Sequence, residues 1–459
     1  MKSREGARTL AFRLLRRVER EGAFASILLQ HAPRGLPREE VALLTELVYG
    51  VLRHRLTDEF LLAALSNRSL SKLDPDVVLL FRIAAHQILR LDRVPERAAV
   101  NESVEIAKGL GGSRRASRAA ASAGFLNAVL RRLCRDKDRL PLPAVPDESA
   151  GPRAVAEALA VRHSHPAWLV ERWLDRWGAA GTIALLEANN LPAPSCLAVN
   201  TARAAPEEVV RRLAAEGIEA ERLAFPPGFL EVRRGSPAGS RAFEEGLFYI
   251  QDRASGIVPH LLAPAPGARV LDACSAPGGK TLALARMAGP SGRVVAADGN
   301  PGRVRLVTSN AARLGVSRIL TVAADMRRPP FRLSFDAALV DAPCSGTGVF
   351  RRDPESRYRL APADLIALAI RQREILDAVA PLVKPGGTLV YSVCSLEREE
   401  GEDQVAEFLS RHPDFARRDL RDRLEPVPSL IDEEGAMRSL PHVHAMDGFH
   451  AAALVRERG

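Results

Sequence analysis

Over roughly the first 138 residues the apolar positions recur at three- and four-residue intervals, with almost no two-residue alternation. VALLTELVYGVLRHRL, PDVVLLFRIAAHQILRL, VNESVEIAKGL and AGFLNAVLRRLCRD each line up their aliphatic residues on one helical face. The opening MKSREGARTLAFRLLRRVER spreads arginines among its apolar positions, which predicts an amphipathic helix and not a signal peptide. An all-α bundle is expected here. RDKDRLPLPAVPDESAGPRA then gathers charge, proline and glycine and marks a linker, with a boundary near residue 145. From 152 to 243 helical patterns (HPAWLVERWLDRWG, PEEVVRRLAAEG) mix with short strands (CLAVN, GFLEVRR, and GLFYIQD at the end), an α+β pattern. From 244 onward the apolar runs RVLDAC, RVVAAD, ILTVAA, FDAALVDAP and TLVYSVC alternate with helical segments, which implies a parallel sheet with crossover helices. The expectation is a multidomain chain: an all-α bundle over 1–145, a small α+β domain over 152–243, and an α/β Rossmann-like domain over 244–459.

Composition narrows the class. The 459 residues exceed one compact core, and 46% hydrophobic with 26% charged residues suits a folded chain. No run approaches the roughly 18 apolar residues of a membrane span, so no membrane association is expected. The five cysteines are scattered without a CxxC pair, which argues against a disulfide framework and a metal site, and for a reducing cytoplasm. A monomer is expected. The formal charge of +9 is unevenly placed: residues 1–140 hold 26 Lys+Arg against 16 Asp+Glu, and the remainder 39 against 40. Such a basic N-terminal excess fits a polyanion, most simply nucleic acid; a solvated arginine-rich surface explains the charge equally well.

The chemistry concentrates in the last domain. VLDACSAPGGKTLALARMA, from Val270, is a strand, a small-residue turn and a helix start, where unpaired N–H groups can meet an anionic or polar ligand. GxxxxGK[ST] would need glycine where Cys274 stands, and GxGxxG is missing, which leaves the S-adenosylmethionine type of site. Asp298, 26 residues beyond Asp272, closes the second strand, where a carboxylate can accept from both ribose hydroxyls. Asp325 is placed to meet the adenine edge at the end of the third strand, and Asp341 the methionine end and the substrate at the end of the fourth. Acids at strand ends can also merely cap the next helix. Lys280 is a further candidate cofactor contact, with the turn residues Cys274, Ser275, Ala276, Pro277, Gly278 and Gly279.

Cys344 follows the fourth strand and Cys394 closes the fifth. If those strands are neighbours, about 4.8 Å apart, both thiols overlie one cleft beside Asp341. Carbon 5 of cytosine is too weak a nucleophile to take a methyl group unaided, whereas a thiolate added at carbon 6 turns the ring into an enamine that can. Asp341 could hydrogen-bond N3 during that addition. A thiol also needs a positive neighbourhood to ionise, and Arg351, Arg352 and helix N-termini are candidates. Chemistry alone does not order the two thiols.

DACSAPGGKT, DAPCSGTGVFRRDPE, KPGGTLVYSVCSLEREEGE and DGFHAAALVRE resemble the RNA cytosine-5 methyltransferases of the Nol/Nop/Sun group. YGVLRHRL, AVNESVEIAK and FLNAVLRR are similar to the helical RNA-binding fold of NusB, and SHPAWLVERW and GLFYIQDRASGIV match the bacterial ribosomal members between these regions. The resemblance implies that Cys394 is the nucleophile and that Cys344 helps release product. It also implies S-adenosylmethionine contacts from the 274–280 loop, Asp298, Asp325 and Asp341. The implied partner is RNA, small-subunit ribosomal RNA in particular; the residues themselves leave tRNA, a non-catalytic RNA scaffold and a methyltransferase for other substrates open. Val393, Ser275 and His450 depart from the group's usual threonine, alanine and aromatic residue, and none of these removes a reactive group.

Overall fold

The computed structural model describes residues 6–31, 35–110 and 116–458, and by its internal contacts the chain forms two compact units. One comprises residues 1–191 together with Phe350–Arg359; the other comprises Pro192–Val349 and Leu360–Gly459. The expected boundaries thus differ from the packing. The 152–243 stretch is divided: its two helices before Leu191 join the first unit, and its strands and later helices join the second.

The first unit is helical: α1 (Ala7–Glu21), α2 (Ala25–Gln30), α3 (Arg38–Arg53), α4 (Arg55–Ser66), α5 (Pro75–Arg90), α6 (Glu96–Gly109), α7 (Ala116–Asp136), α8 (Pro152–His163) and α9 (Ala167–Asn189). The amphipathic segment expected from Met1 is described from Ala7; residues 1–5 lie outside the described residues. In α1, Leu10, Ala11, Leu15 and Val18 are buried, and the helix stops at Gly22, whose φ of 68° suits a residue without Cβ. The VALLTELVYGVLRHRL pattern spans two helices that break at His54, because both bury their apolar faces in one core. Helix α5 is central: Pro75 opens it, Asp74 accepts from Asp76 N, and Leu79, Leu80, Phe81, Ile83, Ala84 and Ala85 are all buried. Phe350–Arg359 is embedded here. The Arg357 guanidinium donates to Asn190 Oδ1 (2.8 Å), Asn189 O (3.0 Å) and Ser164 O (3.2 Å), and Glu355 accepts from Ala25 N (2.7 Å).

The second unit contains two sheets among its described residues. Strands β1 (Ser195–Val199), β2 (Glu219–Arg222), β3 (Phe229–Arg234) and β4 (Phe248–Ile250) form an antiparallel sheet in the order β2-β3-β1-β4, with α10 (Pro206–Ala215) and α11 (Arg241–Glu244). After α12 (Arg253–Leu262) the larger sheet begins: β5 (Arg269–Asp272), α13 (Gly279–Ala288), β6 (Arg293–Asp298), α14 (Pro301–Leu314), β7 (Ile319–Ala323), β8 (Phe335–Asp341), α15 (Pro362–Val379) and β9 (Val383–Val393). Helix α16 (Glu402–Arg411), β10 (Phe415–Arg418), β11 (Met437–Ser439), α17 (Pro441–His444) and β12 (Phe449–Arg456) follow. The order is β10-β12-β9-β8-β5-β6-β7, with β5 to β9 parallel and the last strands antiparallel. Alternate residues face two apolar cores, Leu271, Val340 and Tyr391 on one side and Val270, Leu339 and Val390 on the other. The chain winds outward from β5 through β6 to β7 and then resumes at β8 on the other side. That reversal puts the ligand crevice at the carboxyl ends of β5 and β8.

Candidate active site

Four strand ends and one turn build the site. The turn after β5 needs glycine twice: Gly278 has φ 112°, and a Cβ on Gly279 would stand 2.7 Å from the Tyr249 ring. Under the turn, fully buried Asp272 accepts from Thr281 Oγ1 at 2.6 Å, and burial pushes its pKa up to about 7. Its other oxygen and the Ser275 hydroxyl lack hydrogen-bond partners. Asp298 closes β6 and accepts from Asn300 N (2.9 Å) and Ala276 N (3.3 Å), fixing its carboxylate against the turn. Asp325 lies two residues past β7, half exposed, and is gripped by Arg327 at 2.7 and 3.1 Å, which holds its pKa down to about 2.

Asp298, Asp325, Asp341, Cys274, Ala276, Cys344 and Cys394 line one cavity of about 490 Å³. Pro277, Gly278, Gly279 and Lys280, with Asp272 and Ser275, line a smaller one of about 140 Å³, and Asp341 borders both. Burial, and next the acids Asp272 and Asp341, push the Cys274 pKa upward and so disfavour its thiolate.

β8 and β9 pair in parallel with Asp341 opposite Ser392, so the chain leaves both strands at the same level. The sulfurs of Cys344 and Cys394 come to 3.3 Å, both as free thiols. The Cys344 pKa is raised well above the usual thiol value, first by the hydrogen bond with Cys394, then by burial and by the charge of Glu400. Asp341 is held at both oxygens, by Lys280 Nζ at 2.6 Å and Ser392 Oγ at 2.7 Å, and the ammonium lies 5.3 Å from the Phe449 ring. Lys280, expected against a cofactor, is engaged with this carboxylate. Arg351 and Arg352, offered as cationic neighbours of a thiolate, belong to the segment packed in the helical unit, where Arg351 O accepts from Arg53.

Sequence reasoning passed over several contributors. Arg303, Met326, Arg371 and Ile375 also line the larger cavity. Asn300 alone carried a legible sign, a helix cap before Pro301, and its side chain accepts from Gly302 N at 2.8 Å. Ser392 sits inside an apolar strand with no local signal.

With this geometry in hand, comparison with known proteins is consistent along the chain. The family described as 16S rRNA methyltransferase RsmB/F matches residues 259–455, the NusB family residues 5–135, and the Methyltr_RsmF/B-like, ferredoxin-like domain residues 165–237. The chain is 36% identical to the "Probable ribosomal RNA small subunit methyltransferase B" of Bacillus subtilis, over 98% of this chain and 99% of that one. It is 33% identical to the ribosomal RNA small subunit methyltransferase B of Cronobacter sakazakii over 100% of both. Among solved structures, the methyltransferase homolog protein from Pyrococcus horikoshii superposes with a TM-score of 0.57 at 30% identity, over 66% of this chain and 98% of that one.

Proposed function

Since the chain belongs to the RsmB/F family of small-subunit ribosomal RNA methyltransferases, we propose that it forms 5-methylcytosine in 16S ribosomal RNA, using S-adenosylmethionine and a covalent adduct between Cys394 and carbon 6 of the base. One observation carries this reading: two free thiols 3.3 Å apart on the wall of an acid-lined cavity.

The residues suit the donor. Asp298 would hold the ribose hydroxyls, Asp325 with Met326 and Ile375 the adenine, and the 274–280 turn the amino-acid end, where two buried oxygens still want partners. When bound, the sulfonium supplies an electrophilic methyl group. Asp298→Ala is expected to weaken S-adenosylhomocysteine binding about 10- to 150-fold, the cost of losing a charge-assisted hydrogen bond of about 1.5–3 kcal/mol. Calorimetric titration measures it.

The target cytosine must leave its stack to reach Cys394, and the basic residues of the N-terminal 140 supply phosphate contacts that hold the RNA. The Cys394 thiolate adds to carbon 6, and the electron pair moves to N3, where the proton shared by Lys280 Nζ and Asp341 Oδ2 is available. Carbon 5, now enamine-like, accepts the methyl group. The carbon 5 proton then leaves to solvent, the 5,6 double bond re-forms as Cys394 departs as a thiolate, and N3 returns its proton to the Lys280–Asp341 pair. Cys344 serves that departure: kept as a thiol by its raised pKa, it donates S–H to the leaving sulfur.

RNA carrying 5-tritiated cytosine tests the reading. One tritium should reach water for each methyl accepted by 16S ribosomal RNA, with tRNA as the comparison. Methyl transfer without tritium release would exclude carbon 5.

A further inference from the structure

A carboxylate that the reaction above does not use joins the two thiol-bearing loops. Glu400 ends the one-turn segment Arg398–Glu400 and is fully buried. Its Oε1 accepts from Ser345 N at 2.8 Å and from Gln372 Nε2 at 2.9 Å. Its Oε2 accepts from Ser395 Oγ at 2.5 Å and from Ser345 Oγ. Ser345 directly follows Cys344, and Ser395 directly follows Cys394. Four donors match the acceptor capacity of one carboxylate, so both loops are tied to a single saturated group.

The tie is stiff. Gln372 also donates to Pro343 O at 2.9 Å, immediately before Cys344, and lies 3.1 Å from the Tyr391 hydroxyl. That hydroxyl in turn donates to the Glu400 carbonyl oxygen at 2.5 Å. Gln372, Tyr391 and Ser395 are all buried, where a satisfied network of this kind permits one arrangement and penalises others.

We propose that Glu400 is a positioning residue for the thiol pair: by binding Ser345 and Ser395 on one carboxylate it sets the Cys344–Cys394 approach on which expulsion of Cys394 depends. The inference rests on the covalent reading above. It assigns Glu400 no contact with RNA or methyl donor. Two consequences separate it from a residue that only supports the fold. Loss of the tie slows release of the adduct and leaves RNA binding alone. Loss of the charge removes one cause of the raised Cys344 pKa, so the thiol that must keep its proton gives it up at lower pH.

The experiment follows adduct formation and release by rapid quench on denaturing gels, in the full-length protein carrying Glu400→Ala or Glu400→Gln. Glu400→Ala should slow release about 100-fold, the scale of a misplaced reacting group, with the KM for RNA nearly unchanged. Glu400→Gln retains the bridge, because serine hydroxyls accept from a carboxamide as readily as they donate to a carboxylate. It should slow release by about tenfold at most and move the alkaline limb of the release rate to lower pH. If Glu400→Ala does not fold, the Gln variant's pH limb decides alone. An unmoved limb in Glu400→Gln, or an Ala variant that raises KM while kcat holds, overturns the assignment. Cys344→Ala with Glu400 intact is the control. An adduct there, combined with release from Glu400→Ala as fast as from the parent protein, sinks this inference alone; no adduct there at all sinks it together with the covalent reading.

Discussion

Cys394→Ala is expected to lose methyl transfer by at least about 10⁴-fold, the scale of removing a nucleophile, and to leave no RNA–protein adduct on a denaturing gel. Cys344→Ala is expected to do the reverse on the gel: adduct accumulates while turnover falls about 10³-fold. The asymmetry follows from the roles proposed for the pair. The two sulfurs lie 3.3 Å apart, so the thiol of Cys344 is within reach of the Cys394 sulfur as that sulfur leaves carbon 6. In the proposed reaction Cys394 attacks as the thiolate, and Cys344 eases it away afterwards. Without Cys344 the addition still proceeds but the departing sulfur lacks its donor, so the bond to carbon 6 persists. An adduct in Cys394→Ala and none in Cys344→Ala would exchange the two roles.

Asp341→Asn should lower kcat about 10³-fold while RNA binding stays near its original strength, as measured by single-turnover methylation and filter binding. The carboxylate closes β8 where β9 runs beside it, and Lys280 and Ser392 each engage one of its oxygens. An amide there cannot share the Lys280 proton, which is the one available to N3 as carbon 6 is attacked. Lys280→Met should therefore cost a similar factor, and the double variant little more than the worse single one, because the two residues act as a unit. Independent, additive losses would show that Lys280 does something other than hold this proton.

Much of the site lies in strand ends that periodicity locates without help. Asp272, Asp298 and Asp341 each close a strand, and the glycine turn announces itself by composition. What could not be read is which side chains meet. Asp325 stands beyond its strand because β7 ends at Ala323, and Arg327, two residues on, takes its carboxylate. Lys280 reads as a first-turn lysine until β8 places Asp341 against it. Glu397, Glu399 and Glu400 are indistinguishable in SLEREEGE; only the 3-10 turn that ends at Glu400 decides which of them bridges the thiol loops. The strand under DGFHAAALVRE also escaped notice, since an alanine run carries little β preference and is fixed by pairing with β9.

By itself the amino-acid order determined the alternation of helix and strand, the helical N-terminal region, the glycine turn, and the position of two cysteines just past two apolar strands. These are local matters, set by side-chain period and by backbone freedom over a few residues. Only the tertiary structure decided that β8 and β9 are neighbours, which brings two sulfurs 50 residues apart in sequence to 3.3 Å. It alone decided that Phe350–Arg359, six residues after Cys344, packs in the helical unit with Arg357 fully buried. Such outcomes come from strand order and from the need of buried polar groups for partners, and both depend on residues far apart along the chain.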